Sequence, residues 1–326
     1  MNQLKKLLAS YKLKVIQVQK HENGYVIGTN KGKKLVSIWE NAELLRWSNT
    51  WREELFVQGH KQVQRFLPNH NKKKYIRYQG KYFVLSDFSE GRSIDLQNEE
   101  ECSGAGEIFA KFHKALDRID QKVTTENTSS LNEEYFTKGS TVIKKVMKAI
   151  EEKSNPTLTD EVIYANLPLL YKRFRRAHQL WEGIQNSISY FPLSFTKFQL
   201  NQVAKEGDGW YIQGGINQAL STMHQDTAHL IREIYQKSEW NLQSVTTFLD
   251  GYNRQRTLSD NELIYVLVQF AIPWDVWTHF EDYLTNDCLS EDKIEQMVED
   301  IRKQRYWDEL TTFIGRFIDE QSHASA

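Results

Sequence analysis

The hydrophobic period of this chain changes near residue 90, and no other feature limits its fold as much. KVIQVQKHENGYVIGTNKGKKLVSIWE, residues 14–40, holds three β-rich pieces punctuated by Asn23-Gly24 and Asn30-Lys31-Gly32, residue types that supply the positive φ of tight turns. NAELLRWSNTWREELFVQGHKQVQRFL, residues 41–67, then sets Leu44, Leu45, Trp47, Trp51, Leu55 and Phe56 at helical spacing. KYIRYQGKYFVLSDF, residues 74–88, reads as a hairpin turning at Gln79-Gly80. The order is three strands, one helix, two strands.

Beyond SEGRSID (89–95), read as a linker, the period becomes helical. EEECSGAGEIFAKFHKALDRI, residues 99–119, places Cys102, Ala105, Phe109, Phe112, Leu116 and Ile119 on one face. DQKVTTENTSSLNEE (120–134) is polar and predicts a loop. STVIKKVMKAIEEK (140–153) and DEVIYANLPLLYKRFRRAHQLWEGI (160–184) predict two long helices. LSDNELIYVLVQF opens with a capping box, Ser259 capping and Glu262 reaching back. Helical patterns over 275–284 and 291–317 follow, and no internal repeat is visible. The fold class expected is α+β, with a small β-rich lobe over residues 1–88 and a larger, mainly helical lobe over 89–326.

Composition removes several classes of function. With 326 residues, 40% of them hydrophobic and 12% aromatic, the chain can bury a substantial core. A formal net charge of -1 gives no global basic field for nucleic acid. Lys72 to Lys74 read as a solvated turn, and RFRRAH (173–178) as a solvated helix face. Cys102 and Cys288 lie far apart with no CxxC spacing, so neither a zinc site nor a disulfide framework is expected, and a reducing compartment fits. The N-terminus shows no apolar signal region, and Leu263 to Ile272 is half the length of a membrane span. A soluble protein made inside the cell is expected. His113 and His178 read as core or surface residues, and His224 and His229 are too poorly spaced to share a metal. Among the nine Trp and 15 Tyr, Trp277, Trp307 and Tyr306 are candidates for exposed anchors of a protein interface.

SFTKFQLNQV (194–203), the hairpin-like WYIQGG (210–215) and HQDTAHLIREI (224–234) follow the layout of a phosphotransferase site. That layout is a catalytic loop, two short strands, a metal-binding turn and a helix. A β-rich lobe, an EGR linker and a helical lobe together resemble the choline- and aminoglycoside-kinase-like superfamily, which implies a bilobal protein-kinase-like fold. FLDGYNRQRTLSDNELIYVLVQFAIPWDVWTHFEDYL (248–284) and the hinge YFVLSDFSEGRSID are similar to segments of the CotS/YutH spore coat proteins of spore-forming bacilli, with the YutH-like branch the nearest. The features matched are Tyr252, Leu258-Ser259, Glu262, and Pro273 with Trp277. This resemblance implies synthesis in the mother-cell cytoplasm, a place in the spore coat, and other spore coat proteins as partners, with neither nucleic acid nor membrane involved.

The same resemblance maps the superfamily's catalytic loop, H-G-D, four residues, then N, onto Ser194, Phe195, Thr196 and Asn201. The I-D-F/W-D metal turn falls on 211–215, with Gln213 or Gly214 where its Asp should be. Asp226 matches a downstream Asp at a helix start, whose implied role is to brace the loop, and it also reads as a helix N-cap. Ser37 stands near the place of the nucleotide-gripping Lys, with no Lys after Lys34 in that strand. Asn201 is either a vestigial metal ligand or a loop-capping Asn.

Phosphoryl transfer needs carboxylates to hold metal ions and a group to orient the incoming hydroxyl. Thr, Gln and Gly supply neither. Between Phe191 and Gln225 the only acids are Glu206 and Asp208, in the turn KEGDGW. Losing both functions costs on the order of thousands-fold in rate. The expectation is a catalytically inactive scaffold with no cofactor and no metal. Two alternatives stay open: an active small-molecule phosphotransferase with an atypical site, and a scaffold that binds nucleotide through the backbone of Leu85, Ser86 and Asp87.

Overall fold

Glycines at positive φ turn the first strands back on one another. In the computed structural model, which describes residues 8–21, 24–59, 63–88, 91–117, 128–129, 131, 133–188, 193–195, 200–207, 209–212, 220–222, 224–285 and 290–324, β1 (Val15–His21), β2 (Gly24–Thr29) and β3 (Gly32–Trp39) form a meander. Gly32 has φ +83°. β4 (Ile76–Tyr78) and β5 (Lys81–Asp87) are joined by Gln79 and Gly80 at φ 47° and 77°, the two left-handed residues of a primed hairpin turn. All pairings are antiparallel and the sheet order is β1-β2-β3-β5-β4. Ile27, Val36 and Leu85 pack with Leu8 into one cluster.

Helix α1 (Ala42–Val57) is inserted between β3 and β4. Asn41 starts it by accepting from the backbone N–H groups of Glu43 and Leu44 at 2.8 and 3.0 Å. The predicted Leu44, Leu45, Trp47, Trp51 and Leu55 are buried, whereas Phe56 is only half-buried. Aromatic contacts carry this packing onward: Trp39 meets Phe66 edge to face at 6.0 Å, and Trp51 meets Phe112 at 5.0 Å.

The polypeptide divides into two compact units, Met1–Ser129 with Pro192–Thr257, and Ser130–Phe191 with Leu258–Ala326. The first unit continues through β6 (Arg92–Ser93) and α2 (Glu99–Leu116). Cys102, Ala105, Phe109, Phe112 and Leu116 of α2 are buried as their spacing predicts; Ile119 lies outside the described residues. After β7 (Thr128–Ser129) and β8 (Leu193–Phe195) come the hairpin β9 (Val203–Glu206) and β10 (Gly209–Ile212), then β11 (Leu220–Thr222), α5 (His224–Lys237) and α6 (Leu242–Asn253). Two small sheets result, ordered β10-β9-β6 and β7-β11-β8. Helices α2 and α6 meet at small residues: a Cβ added at Gly106 would stand 2.1 Å from the Phe248 carbonyl oxygen, and one at Gly251 2.1 Å from that of Ser103.

The second unit is helical: α3 (Glu133–Glu151), α4 (Leu158–Ile188), α7 (Asp260–Ala271), α8 (Trp274–Thr285) and α9 (Glu291–Ala324). The capping box forms, with Ser259 N–H donating to Glu262 at 2.8 Å. Trp277 and Trp307 are 8% and 3% exposed, and Tyr306 is half-buried, which corrects the two tryptophans as surface anchors. Trp277 stacks on Phe174 at 5.5 Å inside the core, because that core is built from aromatic faces. No helix among the described residues is long and apolar enough to cross a membrane.

Candidate functional site

Strand β3 carries Ser37 into the interior. It is 2% exposed, pairs with Val84 of β5, and its hydroxyl receives the Trp39 indole N–H at 3.4 Å. Lys34, three residues earlier, forms an ion pair with Asp87 at the end of β5. Side chains alternate along a strand, so Lys34 and Ser37 point to opposite faces, and the last lysine of the strand cannot stand in for the missing one.

The proposed nucleotide contacts Leu85, Ser86 and Asp87 close β5. Leu85 and Ser86 are buried at 1% exposure. The Leu85 carbonyl accepts from Leu67 N–H at 2.7 Å, and the Asp87 carbonyl accepts from the Gln64 side-chain amide at 2.9 Å. Gln64 is held in turn: its carbonyl accepts from Arg52 Nη1 at 2.7 Å. Arg52, on α1, is a fully buried cation whose guanidinium lies 4.2 Å from the Trp51 ring and 4.8 Å from the Phe66 ring. Burial, with no carboxylate partner among the described residues, pushes its pKa down to about 9. Two of the carbonyls that a nucleotide would meet here are thus already bonded within the chain.

The segment aligned with the catalytic loop is described in part. Ser194 lies on β8, paired with Ser221 of β11. Thr196, Gln213 and Gly214 lie outside the described residues. Asn201 is exposed in the 3-10 turn Leu200–Gln202, and the Leu200 N–H donates to the Glu233 carboxylate of α5. Glu206 pairs with Gly209 at one end of the β9–β10 hairpin and Val203 with Ile212 at the other. Three residues of strand separate the ends, about 10 Å. Glu206 therefore stands at the end of the hairpin away from Val203, and Asp208 lies outside the described residues.

Asp226 sits in the first turn of α5, two residues past its first residue and not at the cap itself. It is fully buried, its Oδ2 3.3 Å from His113 Nε2 on α2, and His113 Nδ1 is 2.6 Å from the Tyr252 hydroxyl on α6. Arg256 extends the chain, reaching the Tyr252 hydroxyl at 3.4 Å and Asp117 at 3.0 Å. Burial pushes the Asp226 carboxyl well above the usual carboxylate range. The group acts as a buried tie among α2, α5 and α6. His113, read from the sequence as core or surface, is fully buried; its place on the apolar face of α2 was the available signal.

One cluster went unread in the sequence. Arg92, of the EGR linker, makes two hydrogen bonds to Glu101, which also receives Lys205 at 3.2 Å and the Asp95 N–H at 2.9 Å. Arg92 and Lys205 face each other across β6 and β9. The Arg92 guanidinium is the main cause holding Glu101 down at about 2. Neither cation is spare, and the acid between them is engaged on all sides.

The sequence matches no protein-family model and no curated protein. Solved structures do match in shape. An aminoglycoside phosphotransferase from Alicyclobacillus acidocaldarius superposes with TM-score 0.80 at 12% identity, covering 97% of this chain and 96% of that one. Spectinomycin phosphotransferase in complex with ADP and spectinomycin gives 0.58 at 13% identity, covering 94% and 98%. Amicoumacin kinase in complex with AMP-PNP and Ca²⁺ gives 0.59 at 14%, covering 94% and 93%. At such identity the likeness establishes the fold: a kinase-like architecture of the aminoglycoside phosphotransferase type, with an antiparallel sheet first and helices after.

Proposed function

We propose that this chain is a kinase-shaped scaffold that does not transfer phosphate, a pseudokinase that works through protein contacts in the spore coat. The observation that carries the first part is the acid inventory of residues 191–225. Its only two carboxylates are Glu206 and Asp208, and neither falls at a position that the resemblance assigns to the base or the metal. Asp226 supports it, being buried against His113. The coat role rests on the likeness of the hinge and of residues 248–284 to the CotS/YutH proteins.

The test is thermal unfolding of the full chain with ATP or GTP, with and without Mg²⁺, beside an assay of ADP release over a panel of hydroxyl acceptors. A ligand that binds only the folded state adds about 2.7 kcal/mol at a hundredfold excess over Kd. The expected result is no Mg²⁺-dependent shift and no ADP release above the blank. Mg²⁺-dependent stabilisation with turnover lost in Asn201→Ala would establish an active phosphotransferase. Stabilisation unaffected by chelator would establish a nucleotide scaffold. For the coat role, a tagged copy in a spore-forming bacillus should be recovered in the spore coat extract; recovery in the soluble fraction alone would remove it.

A further inference from the structure

The second unit contains a groove of about 640 Å³ between α4 and α9. Four cations line it, Lys172, Arg173, Arg175 and Arg176, against one carboxylate, Asp308. That carboxylate is spent: Arg173 Nε lies 2.8 Å from Asp308 Oδ1, and the same guanidinium donates to Gln304 and to the Phe270 carbonyl. Arg173 is 7% exposed and forms part of the floor. Lys172, Arg175 and Arg176 are exposed and have no ion-pair or hydrogen-bond partner among the described residues. In a chain of net charge -1, three uncommitted cations on one wall are a local concentration of charge that the global balance does not require. Like charges at helical spacing repel one another, so the wall lacks a counter-charge. The RFRRAH segment is therefore more than a solvated helix face, because a second helix stands opposite and makes it one side of a groove.

We infer that this groove docks an acidic segment of a partner protein. Charge complementarity selects anionic over cationic ligands. The shape selects a peptide over a small anion: the lining cations are exposed, so a lone phosphate would stay hydrated, whereas an extended chain could span several of them. Leu169, 50% exposed at the same groove, offers an apolar contact that an inorganic anion could not use. The inference is independent of whether the kinase-like site is active.

The test uses the full chain and a fluorescent peptide of about twelve residues, rich in Glu and Asp with one central Leu. Anisotropy should show saturable binding that weakens as salt rises, since rim charges are screened. The double variant Arg175→Glu with Arg176→Glu should weaken it by about tenfold or more with an unchanged melting temperature. Lys144→Glu with Lys145→Glu, on exposed positions of α3, should leave it unchanged. Equal binding by the groove variant, equal loss in the α3 variant, or no saturable binding would overturn the inference. Full displacement by millimolar inorganic phosphate, with no effect of replacing the peptide's Leu by Ser, would also overturn it and assign the groove to small anions.

Discussion

Asp226 is a fully buried acid in the first turn of α5, and its surroundings set what it can do. With no exposure and a raised pKa, it resists ionising when the unfolded chain would ionise, above about pH 4. Raising the pH through that range therefore favours the unfolded state. Asp226→Asn should match the wild type at pH 4 and gain relative stability toward pH 8, while Asp226→Ala, which leaves the buried His113 Nε2 without its carboxyl partner, should lose about 2 kcal/mol; paired melting curves across that range check both. Glu101 has the opposite sign. Its pKa, depressed to about 2 from 4.5, contributes stability that is complete above pH 4.5 and lost as pH falls toward 2. Glu101→Gln should cost about 2 kcal/mol at pH 7 and should flatten that acid limb in urea titrations. The partners of neither acid were legible in the sequence, because each depends on which element lies opposite: His113 and Tyr252 are 139 residues apart, and Lys205 of β9 lies 104 from Glu101.

The elements themselves were largely legible. Asn-Gly and Gln-Gly signals, a helical run between strands and a Ser-x-x-Glu start are local chemistry, and each recurs in the structure where its residues are described. The linker SEGRSID proved to hold a two-residue strand, β6, paired with β9; such a strand has no period of its own to read. The tryptophans misled because aromatic counts cannot separate a core from a surface. At this scale the α2–α6 crossing is the sensitive point. Gly251→Ala would drive a methyl group to 2.1 Å from the Ser103 carbonyl oxygen, backbone that cannot swing aside. It should cost about 3 kcal/mol or more, seen as a lower urea midpoint, whereas Gly315→Ala, with nothing within 4 Å, should not lower stability.

At the scale of the whole molecule, the fold and the chemistry separate. Twelve to fourteen per cent identity suffices for the architecture of aminoglycoside phosphotransferases, since burial patterns and turns can be met by many residue types. Phosphoryl transfer is less tolerant, since it needs oxygen ligands, an anionic carboxylate among them, to hold its metal ions. The sequence could therefore show which side chains the resemblance aligns with a kinase site, but not that the Leu85 and Asp87 carbonyls accept hydrogen bonds within the chain or that RFRRAH walls a groove. The division into units also has a consequence for synthesis. The first unit leaves off at residue 129 and resumes at 192, so α2 waits for α6 to be made. At 5–20 residues per second the wait is on the order of ten seconds. Throughout it, Phe109, which packs on Phe248 and Tyr252, and the glycine seam of α2 lack the helix that covers them while the polypeptide is still tethered to the ribosome. Nascent chains stalled before α6 is made should crosslink to chaperones through α2, and that crosslink should be lost once α6 has emerged from the ribosome.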